Sequence, residues 1–99
     1  MAPQANSGSG GGSPTTEVFG HNTEIVFRGT TYHVQTENIY DDAQPNITTL
    51  VYNHGCLVKK LTASYADLLH RADFLDQLKE RVRRQHSTLL AQIKQGELA

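Results

Sequence analysis

Five histidines and one cysteine are the residues of this chain best suited to chemistry, and metal binding is the chemistry they suggest. The histidines are His21, His33, His54, His70 and His86, and the cysteine is Cys56. A structural zinc site usually takes its ligands as two pairs, and the two ligands of each pair lie close together in the sequence. Here the close pair is His54 with Cys56, and the glycine between them already has a role in a turn. We therefore expect no metal and no cofactor.

Other catalytic arrangements lack a partner group. A Cys/His nucleophile pair needs a base within reach and a third group that orients the base, and neighbouring turn residues rarely reach that geometry. Asp41 and Asp42 are adjacent carboxylates, but nothing around them supplies a pocket, so we interpret them as a solvated acidic loop. The chain has no P-loop, dinucleotide fingerprint or zinc-protease motif. We expect a protein that is not an enzyme.

Basic side chains near the C-terminus are the main charge feature. At 100° per residue, Lys79, Arg83 and Lys94 project within about 60° of one another. Arg84 points elsewhere, where Glu80 can pair with it at i+4. The net charge of −1 argues against a dedicated nucleic-acid binder. The basic face has three interpretations: a solvated surface, a site for an acidic protein, or a weak site for nucleic acid or another anionic polymer.

An apolar stripe runs through the same segment, 73–95, and predicts one long helix. Its members are Phe74, Leu75, Leu78, Val82, Leu89 and Ile93, which fall within about 100° of arc. Gln85 and His86 interrupt the stripe midway. We expect His86 to flank the core with one ring nitrogen bonded to a backbone carbonyl. A role for this pair in fixing the register of a helix-mediated dimer is a further hypothesis.

Residues before the helix alternate with a period of two and predict two β-hairpins. The strands are predicted over residues 23–28, 31–37, 47–52 and 56–62. The first turn is assigned to Gly29 and Thr30, and the second to residues 53–55, where Asn53 and Gly55 tolerate positive φ. The inward face of the first hairpin is predicted to hold Ile25, Phe27, Tyr32 and Val34.

These elements predict an α+β fold, a four-stranded antiparallel β-meander followed by a short helix and a long C-terminal helix packed on one sheet face. Residues 64–67 match a capping box and start the short helix, which is predicted to run to about His70. The other sheet face is left uncovered and is not wholly polar, since it carries Val26. We therefore expect a homodimer formed through that face or through an edge strand.

Composition separates a tail from a domain. Residues 1–16 are Gly/Ser-rich, uncharged and predicted to be disordered, and residues 17–99 are predicted to form a single small domain. The start of the chain lacks the basic and apolar regions of a secretory signal, and no stretch is apolar enough to span a bilayer. One cysteine allows no internal disulfide. We expect a cytoplasmic protein without membrane contact.

Several short motifs point to a family. They are Phe27, Gly29 and residues 32–37 (YHVQTE), residues 45–49 (PNITT), residues 64–68 (SYADL), and Gln85 with His86, Leu90 and Gly96. In these the chain resembles small uncharacterised bacterial proteins and modules with a YHVQTE hairpin. The resemblance covers residues 24–97 and implies a bacterial source and a self-contained domain. It implies no activity, and residues 38–42 depart from the family's Asp-Leu-Gly-like segment.

We expect a non-enzymatic protein-protein interaction or adaptor domain that self-associates. The alternative is weak nucleic-acid or anionic-polymer binding through the basic helix face. The residues predicted to make contact are Val26, Lys79, Arg83, Arg84, Gln85, His86 and Lys94.

Overall fold

The computed structural model describes residues 17–41 and 43–97, which form one antiparallel sheet and one long helix. The strands are β1 (His21–Phe27), β2 (Thr30–Ile39), β3 (Asn46–Asn53) and β4 (Cys56–Ser64); a 3₁₀ turn (Ala66–Leu68) and helix α1 (Phe74–Lys94) follow. The strand order is β1-β2-β3-β4, so the predicted α+β meander is confirmed. The tail predicted over residues 1–16 lies outside the described residues.

Both hairpins close through two-residue turns in which each residue has a positive φ. These residues are Arg28 (51°), Gly29 (81°), His54 (53°) and Gly55 (78°). Such turns match the right-handed twist of the flanking strands. Thr30 and Asn53, which were assigned to the turns, instead pair within the strands. The first turn begins one residue earlier than predicted because Arg28, assigned to a strand, adopts the left-handed conformation. The second turn is one residue shorter because Asn53 belongs to β3.

Helix α1 packs mainly against β1, β2 and β3 and covers one face of the sheet. Its buried residues are Leu78, Val82, His86, Leu89 and Ile93. Leu75 was expected in this set but is 44% exposed. In the first turn of α1 it is Phe74, the residue before Leu75, that packs inward against Tyr65, with ring centroids 6.1 Å apart. No helix within the described residues is long and apolar enough to cross a membrane.

The core under α1 consists of two apolar clusters. The first is formed by Ile47, Tyr65, Leu68, Leu78 and Val82. The second is formed by Val34, Val51, Leu89 and Ile93, with Phe27 packed against it. Along α1 the clusters are separated by Gln85 and His86, and along β3 by Thr49, which is completely buried. The interruption of the stripe therefore corresponds to a boundary inside the core.

The short helix predicted from Ser64 to His70 is only a single 3₁₀ turn. Ser64 Oγ accepts a hydrogen bond from the Ala66 N–H (3.1 Å), but the capping box is not completed. The carboxylate of Asp67 binds both terminal nitrogens of the Arg81 guanidinium. Asp67 thus ties this turn to α1 instead of closing the capping box.

Gly96 ends α1 directly after the segment predicted to be helical, 73–95. It has a φ of 72°; its N–H donates to Ile93 O (3.0 Å), and the N–H of Glu97 donates to Gln92 O (2.9 Å). This pair of bonds is the Schellman motif, which favours glycine because its left-handed residue has no Cβ to strain. A Cβ on Gly96 would also lie 3.3 Å from the ring of Phe27. The end of the helix is therefore fitted to β1.

Candidate functional site

Five polar side chains form a hydrogen-bonded chain across the core, which we term the polar chain. They are Thr23 of β1, Thr36 of β2, Thr49 of β3, and Gln85 and His86 of α1. His86 Nε2 lies 2.8 Å from Thr23 Oγ1, and its Nδ1 lies 2.8 Å from Thr36 Oγ1. Thr36 Oγ1 lies 2.7 Å from Thr49 Oγ1, which in turn lies 3.0 Å from Gln85 Nε2. The polar chain thus bonds α1 to three strands.

The side chains at the centre of the polar chain are buried. His86 is 5% exposed, and Thr36 and Thr49 are buried to a similar degree. Burial lowers the pKa of His86 below its usual value of 6.5, and the nearby charge of His21 adds to the effect. The two imidazole rings have centroids 5.5 Å apart. His86 is therefore a neutral imidazole near pH 7, with one donor and one acceptor nitrogen.

Gln85 carries the polar chain to the surface. Its Nε2 donates to Thr49 Oγ1 and to Ile47 O (3.1 Å), with Leu61 O at 3.4 Å. The side chain also lines a cleft of about 280 Å³ between α1 and β4. The expected bond from His86 to a backbone carbonyl was thus wrong: Gln85 binds the carbonyls, and His86 binds hydroxyls. Both residues face their own sheet, so the register that they set is that of α1 on this sheet.

The arginines of α1 are engaged by carboxylates. Arg83 and Arg84 both contact Glu80, and Arg81 contacts Asp67. The hydrogen bonds from Arg83 are the largest cause that lowers the pKa of Glu80. Glu80 therefore offsets one of the four positive charges predicted for the basic face.

The two predicted lysines lie apart from each other. Lys79 places its Nζ 5.2 Å from the ring centroid of Phe19, a cation–π geometry. Lys94 is exposed in the last turn of α1. Val26 lies on the opposite side of the sheet from both, so the structure does not unite the predicted contact residues into one surface.

The sheet face opposite α1, which we term the open face, carries an apolar band. Val26 of β1 is 66% exposed and Leu57 of β4 is 51% exposed. Leu50 and Tyr52 of β3 lie half-buried between these edges. Strand register pairs Tyr52 with Leu57, whereas β2 places the polar residues His33 and Thr31 between Tyr52 and Val26, so the band is interrupted at β2. No layer of described residues covers it.

Charges on the open face are segregated by strand. Glu24 lies on β1 and Glu37 on β2, whereas Lys60 lies on β4. A shallow cleft of about 260 Å³ separates Glu24 from Tyr52 and the second hairpin turn. Among the described residues, no three His, Cys, Asp or Glu side chains lie close enough together to hold a metal ion.

Sequence reasoning missed the three threonines of the polar chain. Thr23 and Thr36 have the same alternation phase as Ile25 and Val34, which were assigned to the inward face. Three inward threonines opposite a polar break in the helix stripe, two of which (Thr36 and Thr49) are register partners, are the signal that was available. No protein-family profile, curated protein or solved structure matches the chain.

Proposed function

We propose that this domain is a non-enzymatic interaction module that forms a homodimer through the open face. The observation that supports the proposal is the exposure of apolar side chains at both edges of the open face, Val26 on β1 and, beside Tyr52, Leu57 on β4. Single exposed apolar residues are normal, but residues aligned across neighbouring strands form a patch of the kind that marks an interface. A second copy presents the same band, as a two-fold dimer requires.

The size of the open face suits such a dimer. Four strands spaced about 4.8 Å apart and roughly 25 Å long give a face of roughly 500 Å². Two copies in contact would then bury about 1,000 Å², near the lower limit for a specific interface. We therefore expect a dimer whose population depends on concentration.

Charge complementarity supports a two-fold axis parallel to the strands. This axis stacks β1 of one copy over β4 of the other, as in a β-sandwich. The carboxylates of Glu24 and Glu37 then lie on the side of the interface that carries Lys60 of the second copy. Opposite charges at the two edges favour this arrangement over its like-charged alternatives.

Pairing through the β4 edge is less favourable than packing through the face. This edge carries Lys59 and Lys60, and its register shifts at a bulge opposite Val51 and Tyr52. Lysines and bulges are common features that prevent edge strands from pairing. We therefore favour contact through the open face over pairing through the β4 edge.

Sedimentation equilibrium over a concentration series tests the dimer. Val26→Lys and Leu57→Glu lie at opposite edges of the open face. Each adds a charge of the sign that the facing edge of the second copy already carries, so each is expected to shift the protein towards the monomer mass. Leu75→Glu introduces a charge at a similarly exposed leucine on α1 and is the matched control, with no expected effect. A wild-type protein that remains monomeric at every concentration would refute the proposal. An effect of only one edge variant would indicate pairing of edge strands instead.

We further propose a cytoplasmic location. Support comes from Cys56, which is exposed and carries a free thiol. An exposed thiol persists most readily in a reducing compartment. Recovery of the protein outside the cytoplasmic fraction of the native cell would contradict this assignment.

A further inference from the structure

We propose that the polar chain is a proton-responsive device in which protonation of His86 reverses the hydroxyl hydrogen bonds and displaces the Gln85 amide towards the cleft beside β4. This inference concerns the core and α1, and it does not depend on dimerisation through the open face.

The direction of hydrogen-bond donation along the polar chain is set at Gln85. Backbone carbonyls only accept hydrogen bonds, so the Gln85 atom that lies against Ile47 O and Leu61 O must be the amide nitrogen. An amide nitrogen only donates, and it therefore also donates to Thr49 Oγ1.

The remaining bonds follow one by one. Within the described residues, the fully buried Thr49 hydroxyl has only Gln85 Nε2 and Thr36 Oγ1 as side-chain partners, so it donates to Thr36. Thr36 must then donate to His86 Nδ1. His86 therefore carries its proton on Nε2 and donates to Thr23 Oγ1. The neutral imidazole is held in a single tautomer.

A second proton on His86 conflicts with this order. Protonated Nδ1 must donate to Thr36, whose hydroxyl then turns to donate to Thr49. Thr49 Oγ1 can then accept from both Thr36 and Gln85 Nε2, but its own hydrogen is left buried without an acceptor among the described side chains, which is unfavourable. The Gln85 side chain can relieve the conflict because it lines the cleft of about 280 Å³ between α1 and β4.

The charged groups around His86 do not favour the added proton. β1 presents His21, and β4 presents Lys59 on the helix side of the sheet, opposite Val51. At the neighbouring helix-side positions, the described residues of β2 and β3 carry no charge: they are Val34, Thr36 and Asn38, and Ile47, Thr49 and Val51. α1 presents Arg83 one turn earlier, bound to Glu80. Protonation of His86 therefore acts mainly through the polar chain.

Nitrogen-15 NMR of the histidine side chains and of the Gln85 amide tests the device. At high pH we expect His86 to be protonated on Nε2 only. On acidification, the Gln85 side-chain resonance should shift with the same midpoint as His86. Thr36→Val interrupts the polar chain, so Gln85 should no longer follow His86. Thr31→Val, on the open face of the same strand, should leave the coupling unchanged.

Gln85→Met gives an independent measurement because it removes the amide donor that fixes the direction of the polar chain at Thr49. The titration midpoint of His86 is expected to rise by about one pH unit, a tenfold change in proton affinity. A midpoint that stays the same or falls would overturn the proposal, as would an Nδ1 proton on His86 at high pH. A Gln85 amide that does not respond while His86 titrates would also overturn it.

Discussion

At the scale of single residues, the polar chain makes Thr36 more important than its neighbours on β2. Thr36→Val keeps the shape of the side chain but leaves His86 Nδ1 and Thr49 without their partner. Removing one member of a buried pair costs about 1–3 kcal/mol. We expect the free energy of unfolding, measured in urea, to fall by this amount. Thr31→Val, which is exposed on the same strand, should change it by less than about 0.5 kcal/mol.

Stability should also depend on pH through His86. Because burial depresses the pKa of His86 in the folded state below 6.5, the unfolded chain takes up a proton more readily. The contribution to stability is fully present above the unfolded pKa and is lost as the pH falls through the folded pKa. Urea unfolding at a series of pH values should show this decline, and His86→Gln should flatten it. An equal decline in the variant would assign the effect to other groups.

Residues whose role shows within one segment could be predicted from the sequence, whereas residues whose role depends on strand register could not. Gln85 and His86 were recognised because they break an apolar period, and a break in a period is visible in one segment. Thr23, Thr36 and Thr49 were missed because threonine is also an ordinary strand former. Their role arises only when strand register aligns them, and register is a property of three segments together.

At the scale of elements, the end of α1 is the most specific feature. Gly96→Ala introduces a Cβ at a φ of 72° and 3.3 Å from the Phe27 ring. We expect a loss of roughly 1–2 kcal/mol in unfolding free energy, since both the left-handed conformation and the contact are unfavourable. Thermal denaturation followed by circular dichroism would measure it. Gln95→Ala, one residue earlier with a helical φ of −94°, is the control and should have little effect.

Element types were predictable because each has its own period, whereas their limits were less so. The strands and α1 were confirmed, but the first turn begins one residue earlier, since Arg28 has no composition cue for a positive φ, and the second is one residue shorter because Asn53 pairs in β3. The short helix was overestimated because Asp67 binds Arg81, a contact between distant residues that a local capping pattern does not contain.

At the scale of the whole molecule, the proposed dimer predicts a charge swap. Glu24→Lys and Lys60→Glu should each weaken association, because each places like charges together across the interface. The double variant should recover most of the wild-type affinity in sedimentation equilibrium. Independent, additive losses would show that these two side chains do not meet.

The polar chain also fixes the position of α1 along its own sheet. If the helix slid by one turn, Val82 or Leu89 would face the threonines, and buried hydroxyls would lose their partners. An apolar stripe alone tolerates such slips, because leucine and valine fit many positions. Replacing both Gln85 and His86 by leucine is thus expected to retain helix content while multiplying the backbone amide signals in NMR spectra. These five side chains therefore make the folded arrangement unique more than they increase its free energy of unfolding.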